Sequence, residues 1–384
     1  MKKRKVCVVV TARASYARIK TALAALSRRP EIELQLVVAA SAILSRFGNV
    51  DAIMEKDGFR IASRVQMVVE GETPTATAKT AGLGIIELAS VFDNLTPDLV
   101  VTIADRYETI STSIAAAYTN IPLAHVQGGE VTGSIDEKVR HANTKLADLH
   151  LVANEAARTR VIRMGEAPET VYITGCPSID LAAEAARQPQ IKFNAFLKYG
   201  GVGPLQTLPD DYLVVLQHPV ATAPQEGRWQ IEQTLAAVHR SGRPALWFWP
   251  NVDAGADGVS TGIRHFREVS PNNRLHFFKN MEPEDFLKIL LNARAIIGNS
   301  SVGVRECAFL GVPAVNIGTR QDGRPRGRNV IDVNHDAAAI LAAIEETKYA
   351  SRNRDALYGD GNAGENIAQV LATANLTHEK RIVY

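Results

Sequence analysis

Short apolar runs rich in Val, Ile and Leu alternate with helical patterns along almost the whole chain. In the first half, the predicted strands are 5–10, 33–39, 98–103, 121–126, 149–152 and 171–174, and the predicted helices are 17–28, 76–95, 111–118 and 136–147. Strands that alternate with helices predict a parallel sheet covered by helices on both faces. We therefore expect an α/β fold of the doubly wound type.

The same alternation restarts in the second half of the chain. A predicted helix over 178–186 and a stretch rich in Gly, Pro and Gln separate the two series. The second series of predicted strands is 212–216, 245–249, 274–278, 295–297 and 314–317. A chain of 384 residues has room for two domains at about 150 residues each. We predict two doubly wound domains, with a boundary near 178–190 and a cleft between them.

Charge, hydropathy and cysteine content exclude several classes of protein. Lys and Arg total 43 against 41 Asp and Glu, so the chain lacks the basic excess of a nucleic-acid-binding protein. No apolar run approaches the ~20 residues of a transmembrane helix, and the apolar stretch behind the basic start is too short for a signal peptide. Three widely spaced cysteines, Cys7, Cys176 and Cys307, indicate a reducing compartment. We expect a cytoplasmic protein with no nucleic-acid or membrane partner.

Polar residues follow nearly every predicted strand. In doubly wound sheets, ligands bind beyond the carboxyl ends of the strands. In the first domain the residues at these positions are Asp105, Arg106, Gln127 and Glu130, with Asp136 at the start of a helix. In the second domain they are His218, Asn251, Ser300, Ser301 and Arg320. Because six strand ends carry such groups, we predict that these residues share one site.

Each of these residues also has a purely structural interpretation. Residues 298–301 are compatible with a helix N-cap and with a phosphate cradle of N–H and hydroxyl donors. Glu306 is either a solvated side chain or an acceptor for the two hydroxyls of a ribose. Asp105 and Arg106 are compatible with a structural ion pair, and His218 is compatible with a core histidine.

Asp136 suits a helix N-terminus because of the helix dipole, and Arg320 is compatible with a loop charge. Two nucleotide-binding motifs are missing: no Gly-Lys-Ser/Thr follows 298–301, and no G-x-G-x-x-G follows the first strand. No histidine has metal-ligand spacing, so we expect no catalytic metal and no cofactor.

Eight motifs, in their order along the chain, resemble those of the hydrolysing UDP-N-acetylglucosamine 2-epimerases. They are DRYE at 105–108, HVQGGE at 125–130, IDEKVRH at 135–141, GCPS at 175–178, QHP at 217–219, PNVDAG at 250–255, GNSSVGVRE at 298–306 and GTRQ at 318–321. The motifs span essentially the whole chain. They are most similar to the epimerase half of the bifunctional UDP-GlcNAc 2-epimerase/N-acetylmannosamine kinase.

The resemblance implies the GT-B architecture, in which two Rossmann-like domains face each other across a cleft. It implies a domain of sugar-site carboxylates over 1–180, a UDP-binding domain over 190–363, and a C-terminal helix over 364–384 that crosses back to the first domain. The implied enzyme converts UDP-GlcNAc and water to N-acetylmannosamine and UDP. The route is anti elimination to a 2-acetamidoglucal, followed by rehydration with inversion at C2. A role in sialic-acid-type sugar synthesis and a homodimer or higher homo-oligomer are also implied.

Roles of single residues follow from the same resemblance. The implied catalytic set is Asp105, Glu130, Asp136, His218 and Arg106, and the three carboxylates lie near the sugar. The implied substrate-binding and UDP-binding set is Arg13, Gln127, Asn251, Ser300, Ser301, Glu306 and Arg320. Within that set, the two serines hold the diphosphate and the glutamate holds the ribose. Which carboxylate is the acid and which is the base stays open.

The chain departs from the family pattern at several positions, and two alternative functions stay open. Gln127 replaces a glutamate or histidine, and because an amide transfers no proton at neutral pH, it is predicted to orient the substrate. Ala104 replaces the usual glycine, and Ser15 replaces an acid. One alternative is a GT-B glycosyltransferase, and the other is the same reaction on a UDP- or GDP-linked 2,4-diacetamido sugar. The carboxylates disfavour a third, a non-catalytic binding module, because its ligand would be anionic.

Overall fold

A computed structural model of the chain describes residues 2–45, 49–71, 73–131, 135–220, 224–250, 256–270, 274–377 and 379–383. The chain divides into two compact units. Unit 1 consists of Met1–Asp180 and Gly359–Tyr384, and unit 2 consists of Leu181–Tyr358. In the described part of the chain, no helix combines the length and apolar content that crossing a bilayer requires.

Unit 1 is built on a parallel sheet of seven strands. The strands are β1 (Arg4–Val10), β2 (Ile32–Ala39), β3 (Ile61–Val65), β4 (Leu99–Ile103), β5 (Leu123–Val126), β6 (Leu149–Val152) and β7 (Val171–Ile173). Their order in the sheet is β3-β2-β1-β4-β5-β6-β7. The central strands are near-continuous apolar runs because helices cover both faces of the sheet. All five residues of β4 are buried, for example.

The helices of this part of the chain follow the strands in alternation. They are α1 (Arg13–Ala17), α2 (Lys20–Ser27), α3 (Val50–Lys56), α4 (Pro74–Leu95), α5 (Thr109–Tyr118), α6 (Ile135–Leu146), α7 (Glu155–Arg163) and α8 (Pro177–Arg187). One core layer, which includes Val8 and Leu36, lies on one side of the sheet, and a second layer with Cys7 and Val9 lies on the other. Because side chains alternate in direction along β1, this strand contributes residues to both core layers.

Unit 2 repeats the arrangement with six parallel strands. The strands are β8 (Leu213–Leu216), β9 (Ala245–Phe248), β10 (Leu275–Phe278), β11 (Ala295–Gly298), β12 (Ala314–Ile317) and β13 (Val330–Val333). Their order is β10-β9-β8-β11-β12-β13, which is the 3-2-1-4-5-6 order of a dinucleotide-binding sheet. The prediction of an α/β, doubly wound fold is confirmed in both units.

The helices of unit 2 cover its sheet, and one further helix returns to unit 1. The helices are α9 (Ala195–Tyr199), α10 (Gly227–Arg240), α11 (Ala256–Val269), α12 (Pro283–Asn292), α13 (Ser301–Val304), α14 (Glu306–Leu310) and α15 (Ala337–Glu346), and α16 (Ala363–Thr373) belongs to unit 1. Trp247 and Tyr212, both fully buried, are among the largest core side chains of unit 2.

The start of α16 is fixed by a residue that precedes it by 183 positions in the sequence. The Asp180 carboxylate accepts the backbone N–H groups of Ala363 at 2.8 Å and Gly364 at 2.7 Å, and it accepts the Thr21 hydroxyl at 2.7 Å. Gly364 lies so close to α2 that an added Cβ would be 2.6 Å from the Thr21 backbone carbon. Asp180 therefore satisfies the orphan donors of α16 while the helix packs closely against α2.

Some details of the secondary structure differ from the prediction. The predicted helix over 17–28 begins later, as α2 at Lys20, because the chain breaks at Arg18 and Ile19, and α1 before the break was not predicted. The turn after β11 leads into two short helices, since α13 ends at Val304 and Glu306 begins α14. The edge strands β3 and β13 have no counterpart among the predicted strands.

Candidate functional site

Three strands of unit 1 end on residues with a left-handed backbone. Ala40 after β2 has φ 51°, Ala104 after β4 has φ 62°, and Gln127 after β5 has φ 66°. A residue with a side chain costs about 1–2 kcal/mol in this conformation, and such strain collects at functional sites. Strained residues therefore lie at the carboxyl end of this sheet, where ligands bind in doubly wound folds.

His125 holds the turn that precedes Asp105. Its Nε2 donates to the Ala104 carbonyl at 2.8 Å, so Nδ1 accepts from the Thr144 hydroxyl at 3.1 Å. The ring is fully buried, and burial lowers the pKa of His125 to about 3, so the ring is neutral near pH 7. Asn143 adds a bond of 3.5 Å to the same carbonyl. His125 therefore acts as a fixed support for the turn.

Two arginines surround Asp105. The side chain of Arg140, which is buried on α6, makes an ion pair with the Asp105 carboxylate and donates to the Gln127 carbonyl. Arg18, at the end of α1, lies 3.5 Å from the other carboxylate oxygen. Opposite charges this close favour the ionised carboxylate. Asp105 is therefore a buried, charged group held from two sides, and neither arginine was among the predicted site residues.

Arg106 links a buried carboxylate with Asp136. Its Nε donates to Glu108 at 2.7 Å, and the Glu108 side chain is almost fully buried. Burial works against the charge of Arg106, but the charge of Glu108 and then that of Asp136 outweigh it and raise the pKa of Arg106. Asp136 lies in the first turn of α6, the helix that also carries Arg140. The predicted residues Arg106 and Asp136 therefore act on each other electrostatically.

The remaining predicted residues of unit 1 have different environments. Glu130 is buried in the turn after β5. Gln127 is fully buried, and its amide donates to the Cys176 sulfur at 2.9 Å, toward the interior of the unit. Gly129 has φ 72°, and an added Cβ would lie 2.4 Å from the Ala157 carbonyl oxygen. Arg13 is exposed on α1.

In unit 2, His218 and Asn299 are joined by a pair of hydrogen bonds. The Asn299 side chain accepts the His218 backbone N–H at 2.7 Å and donates to the His218 carbonyl at 2.8 Å. Burial, and then the charge of Arg320, lower the pKa of His218 to about 3, which makes its ring neutral near pH 7. The predicted residues His218 and Arg320 are therefore electrostatic neighbours at the carboxyl end of the second sheet.

The turn after β11 carries the two predicted serines. Ser300 is the N-cap of α13, and its hydroxyl accepts the Val302 N–H at 3.4 Å. The Ser301 hydroxyl accepts from Arg305 at 3.2 Å. Gly298, before them, has φ 135°, and an added Cβ would be 2.2 Å from the Leu216 carbonyl oxygen. Glycine is therefore required for the turn to approach β8 this closely.

Glu306 has a buried oxygen that the described residues leave without a hydrogen bond. Its side chain is buried at the start of α14, and its Oε2 atom accepts no hydrogen bond from the described residues. Arg305 Nε lies 3.8 Å from this oxygen. Buried carboxylate oxygens normally accept a hydrogen bond, so this oxygen has the capacity to accept one. Asn251, also predicted here, lies outside the described residues.

Over the described ranges, no group of three or more His, Cys, Asp and Glu side chains is arranged to hold a metal ion. Unit 1 contains buried carboxylates beside guanidinium groups. Unit 2 contains hydroxyl groups, a neutral histidine and an arginine. These are the residue types that act in proton transfer and in anion stabilisation.

Comparison with known proteins identifies the family. A sequence model described as UDP-N-acetylglucosamine 2-epimerase matches residues 24–372. The chain belongs to the UDP-N-acetylglucosamine 2-epimerase family. The resemblance stated from the eight motifs is thereby confirmed.

Members of the 2-epimerase family resemble the chain over nearly its full length. The UDP-N,N'-diacetylbacillosamine 2-epimerase (hydrolyzing) of Legionella pneumophila is 32% identical over 380 residues, which are 97% of each chain. The UDP-N-acetylglucosamine 2-epimerase of Neisseria meningitidis serogroup B is 28% identical and covers 99% of each. Among solved structures, the Neisseria meningitidis UDP-GlcNAc 2-epimerase bound to UDP-GlcNAc has a TM-score of 0.78 at 17% identity, covering 96% of this chain and 99% of the other. The predicted GT-B class is confirmed by this likeness of fold.

Proposed function

We propose that the protein hydrolyses a UDP-linked 2-acetamido sugar and inverts its configuration at C2. The substrate we propose is UDP-GlcNAc, and the products are N-acetylmannosamine and UDP, for sialic-acid-type sugar synthesis. The observation that carries the proposal is the group of buried carboxylates Asp105 and Glu130, with Asp136 close to Arg106, in a chain of the 2-epimerase family. A protein that only bound an anionic nucleotide would gain nothing from three carboxylates.

The first half of the proposed reaction is an elimination. The bond between C1 and the UDP oxygen breaks, and its electron pair leaves with UDP. A base removes the proton at C2, and the C–H electron pair forms the C1–C2 double bond of a 2-acetamidoglucal. Positive charge that develops at C1 is stabilised by an ionised carboxylate, the role we assign to Asp105 because Arg140 and Arg18 hold it charged.

The second half adds water across the double bond. The hydroxyl of water joins C1, and a proton joins C2 on the face opposite to the one that lost it. These two steps need one base and one acid, and we assign them to Glu130 and Asp136. Two carboxylates in different surroundings can hold different protonation states at one pH. Glu130 is buried, whereas Asp136 is half-buried beside the charge of Arg106.

Unit 2 holds the nucleotide in this proposal. Ser300, Ser301 and Arg320 bind the diphosphate, and His218 stabilises the charge that UDP gains on leaving. Glu306 accepts the ribose hydroxyls, which is supported by its buried oxygen Oε2. Arg13 and Asn251 complete the UDP-binding set. Gln127 is proposed as an orienting residue, although its amide donates to Cys176 rather than to solvent.

A second substrate is supported by one specific observation. The Legionella relative, at 32% identity, is named for UDP-N,N'-diacetylbacillosamine. This chain would perform the same chemistry on a 2,4-diacetamido sugar, because elimination and rehydration involve only C1 and C2. The two substrates differ at C4, which the reaction leaves untouched, so a direct comparison of the two nucleotide sugars distinguishes them.

The decisive experiment is incubation in heavy water without an acceptor sugar. We expect UDP-GlcNAc to give UDP and N-acetylmannosamine that carries one deuterium at C2. Intact UDP-GlcNAc together with turnover of UDP-N,N'-diacetylbacillosamine would assign the second substrate. Turnover of neither would remove the proposed activity. A product without deuterium at C2 would exclude proton abstraction at that carbon.

The proposal also covers compartment and assembly. We propose a cytoplasmic enzyme, supported by three buried cysteines that form no disulfide, all of them within the described residues. We propose a homodimer or higher homo-oligomer that takes a nucleotide sugar as its small-molecule partner. Sedimentation velocity of the purified chain tests the assembly, and a single species at the monomer mass of 41.6 kDa would contradict it.

A further inference from the structure

We propose that Asn299 is a positioning residue that sets His218 and Arg320 at a fixed distance for binding of UDP. The inference rests on the proposed function, because it concerns the same nucleotide. Asn299 is fully buried and was part of a motif without an assigned role. Its contacts connect the ends of three neighbouring strands, β8, β11 and β12.

The side chain of Asn299 fixes the backbone of His218. Its Oδ1 accepts the His218 N–H at 2.7 Å, and its Nδ2 donates to the His218 carbonyl at 2.8 Å. An amide side chain that pairs with both polar groups of one residue acts as a short extra piece of sheet ladder. The two bonds leave the His218 backbone little freedom, so the direction in which its side chain leaves the backbone is fixed as well.

The backbone of Asn299 fixes the turn after β12. Its carbonyl accepts the Gln321 amide at 2.8 Å and the Arg320 guanidinium at 3.3 Å. Gln321 is fully buried, so its amide holds the turn from the interior of the unit. Arg320, the preceding residue, is half-buried. One residue therefore contacts both His218 and Arg320, although 102 positions separate them in the sequence.

Gly298 makes this contact possible. Because it has no side chain, β11 ends close enough to the Leu216 carbonyl for Asn299 to reach the residue two positions beyond Leu216. Ser300, the next residue, caps α13. The segment from Gly298 to Ser300 thus places three candidate UDP ligands, His218, Ser300 and Arg320, around one buried asparagine.

Non-additivity separates positioning from a general loss of structure. The Asn299 side chain bonds to His218, and it affects Arg320 only by anchoring the Asn299 backbone that Arg320 contacts. If it acts through these two residues, removing their side chains removes the benefit of the Asn299 side chain. Substitutions of residues that share contacts are non-additive, whereas independent ones add. The measured quantity is therefore the loss of UDP affinity caused by Asn299→Ala in two backgrounds, the wild type and the H218A/R320A variant.

The experiment is calorimetric titration of UDP into each purified full-length variant. We expect N299A to weaken UDP binding by about tenfold or more in the wild type, and by no more than about twofold in H218A/R320A. The variant N299D keeps the side-chain volume and the acceptor for the His218 N–H, but it places an oxygen against the His218 carbonyl. We expect N299D to show the same dependence on background, and it replaces N299A if that variant does not fold.

Asn329→Asp is the matched control. Asn329 is also buried in unit 2, and its amide donates to the carbonyls of Gly303 and Val312 at 3.0 Å each. The hydrogen bonds of its amide go to neither His218 nor Arg320, so its effect on UDP affinity should be equal in the two backgrounds. An equal loss for the Asn299 variants in both backgrounds would overturn the positioning role. A wild type that binds no UDP would instead remove the proposed function, and the inference with it.

Discussion

The guanidinium group of Arg140 lies against the carboxylate of Asp105, and both side chains are buried at the carboxyl end of the unit 1 sheet. The same guanidinium donates to the carbonyl of Gln127, the residue at which β5 ends in a left-handed turn. One side chain thus connects the ends of β4 and β5. The stability of the unit and the charge of the candidate site therefore depend on the same contact.

Replacing Arg140 with Gln should destabilise the protein strongly. The Asp105 carboxylate would stay buried with only Arg18 nearby, at 3.5 Å. Breaking one partner of a buried pair costs about 3–5 kcal/mol, because the other charge is left uncompensated. Urea unfolding measures the loss. The surface pair of Arg28 with Glu365, in the same unit, is the control, and R28Q should cost at most about 1 kcal/mol. Equal losses in the free energy of unfolding of the two variants would contradict the assignment of Arg140 and Asp105 as a buried ion pair.

Replacing Asp105 with Asn should separate chemistry from nucleotide binding. The amide keeps the shape of the side chain but carries no charge to stabilise C1. We expect turnover of the nucleotide sugar to fall by ~10²-fold or more, with little change in the Kd for UDP. Steady-state kinetics and calorimetric titration of UDP provide the two numbers. If D105N weakened UDP binding and left turnover intact, Asp105 would belong to the nucleotide site.

Replacing Ala104 with Gly should not destabilise the protein, although the same change in a strand should. Ala104 has φ 62°, a conformation that glycine adopts without a steric penalty. Ala124 is buried in β5, where glycine costs about 0.5–1 kcal/mol in chain entropy and a further amount in lost packing. Thermal unfolding should therefore show a Tm for A104G at or above that of the wild type, and a lower Tm for A124G. A drop of equal size in both would show that the turn is unstrained.

Stability should decrease as the pH falls through the range set by His125. Burial lowers the pKa of this residue to about 3, against 6.5 for an ordinary histidine. Between pH 6.5 and 3 the unfolded chain therefore binds a proton that the folded chain does not, so acid favours unfolding over that range. The variant H125Q lacks this titration. Its free energy of unfolding, measured from pH 7 to pH 4, should vary less steeply than that of the wild type, and parallel curves would contradict the assignment.

The central strands of both sheets were predictable because they are buried on both faces. β4 and β12, for example, are fully buried and carry a single polar residue each, and their ends differ by no more than one residue from those predicted. The edge strands β3 and β13 were missed because they are less buried than the central strands, and each carries a polar residue at an exposed position. The break at Arg18 and Ile19 was also missed, because apolar spacing continues across it.

The candidate site was predictable only in its location. The carboxyl ends of parallel strands meet at one edge, so Asp105, Glu130, His218 and Arg320 were selected by position alone. The contacts that hold them join residues far apart in sequence, such as Arg140 with Asp105 and Asn299 with His218, and no local pattern contains such pairs. Arg140 had one available signal, since it lies one helical turn after Asp136 on α6.

The bonds from Asp180 to the start of α16 affect the order in which the two units can finish folding during synthesis. Domains fold as units while the ribosome releases the chain from its amino end. Unit 2 is one uninterrupted segment, so every residue it needs is available before the last turns of α16 have been translated. Unit 1 begins first, but the face of α2 that packs against α16 stays uncovered until α16 has been translated. In a nascent chain that stops before residue 363, unit 2 would therefore have all of its residues, whereas unit 1 would still lack α16.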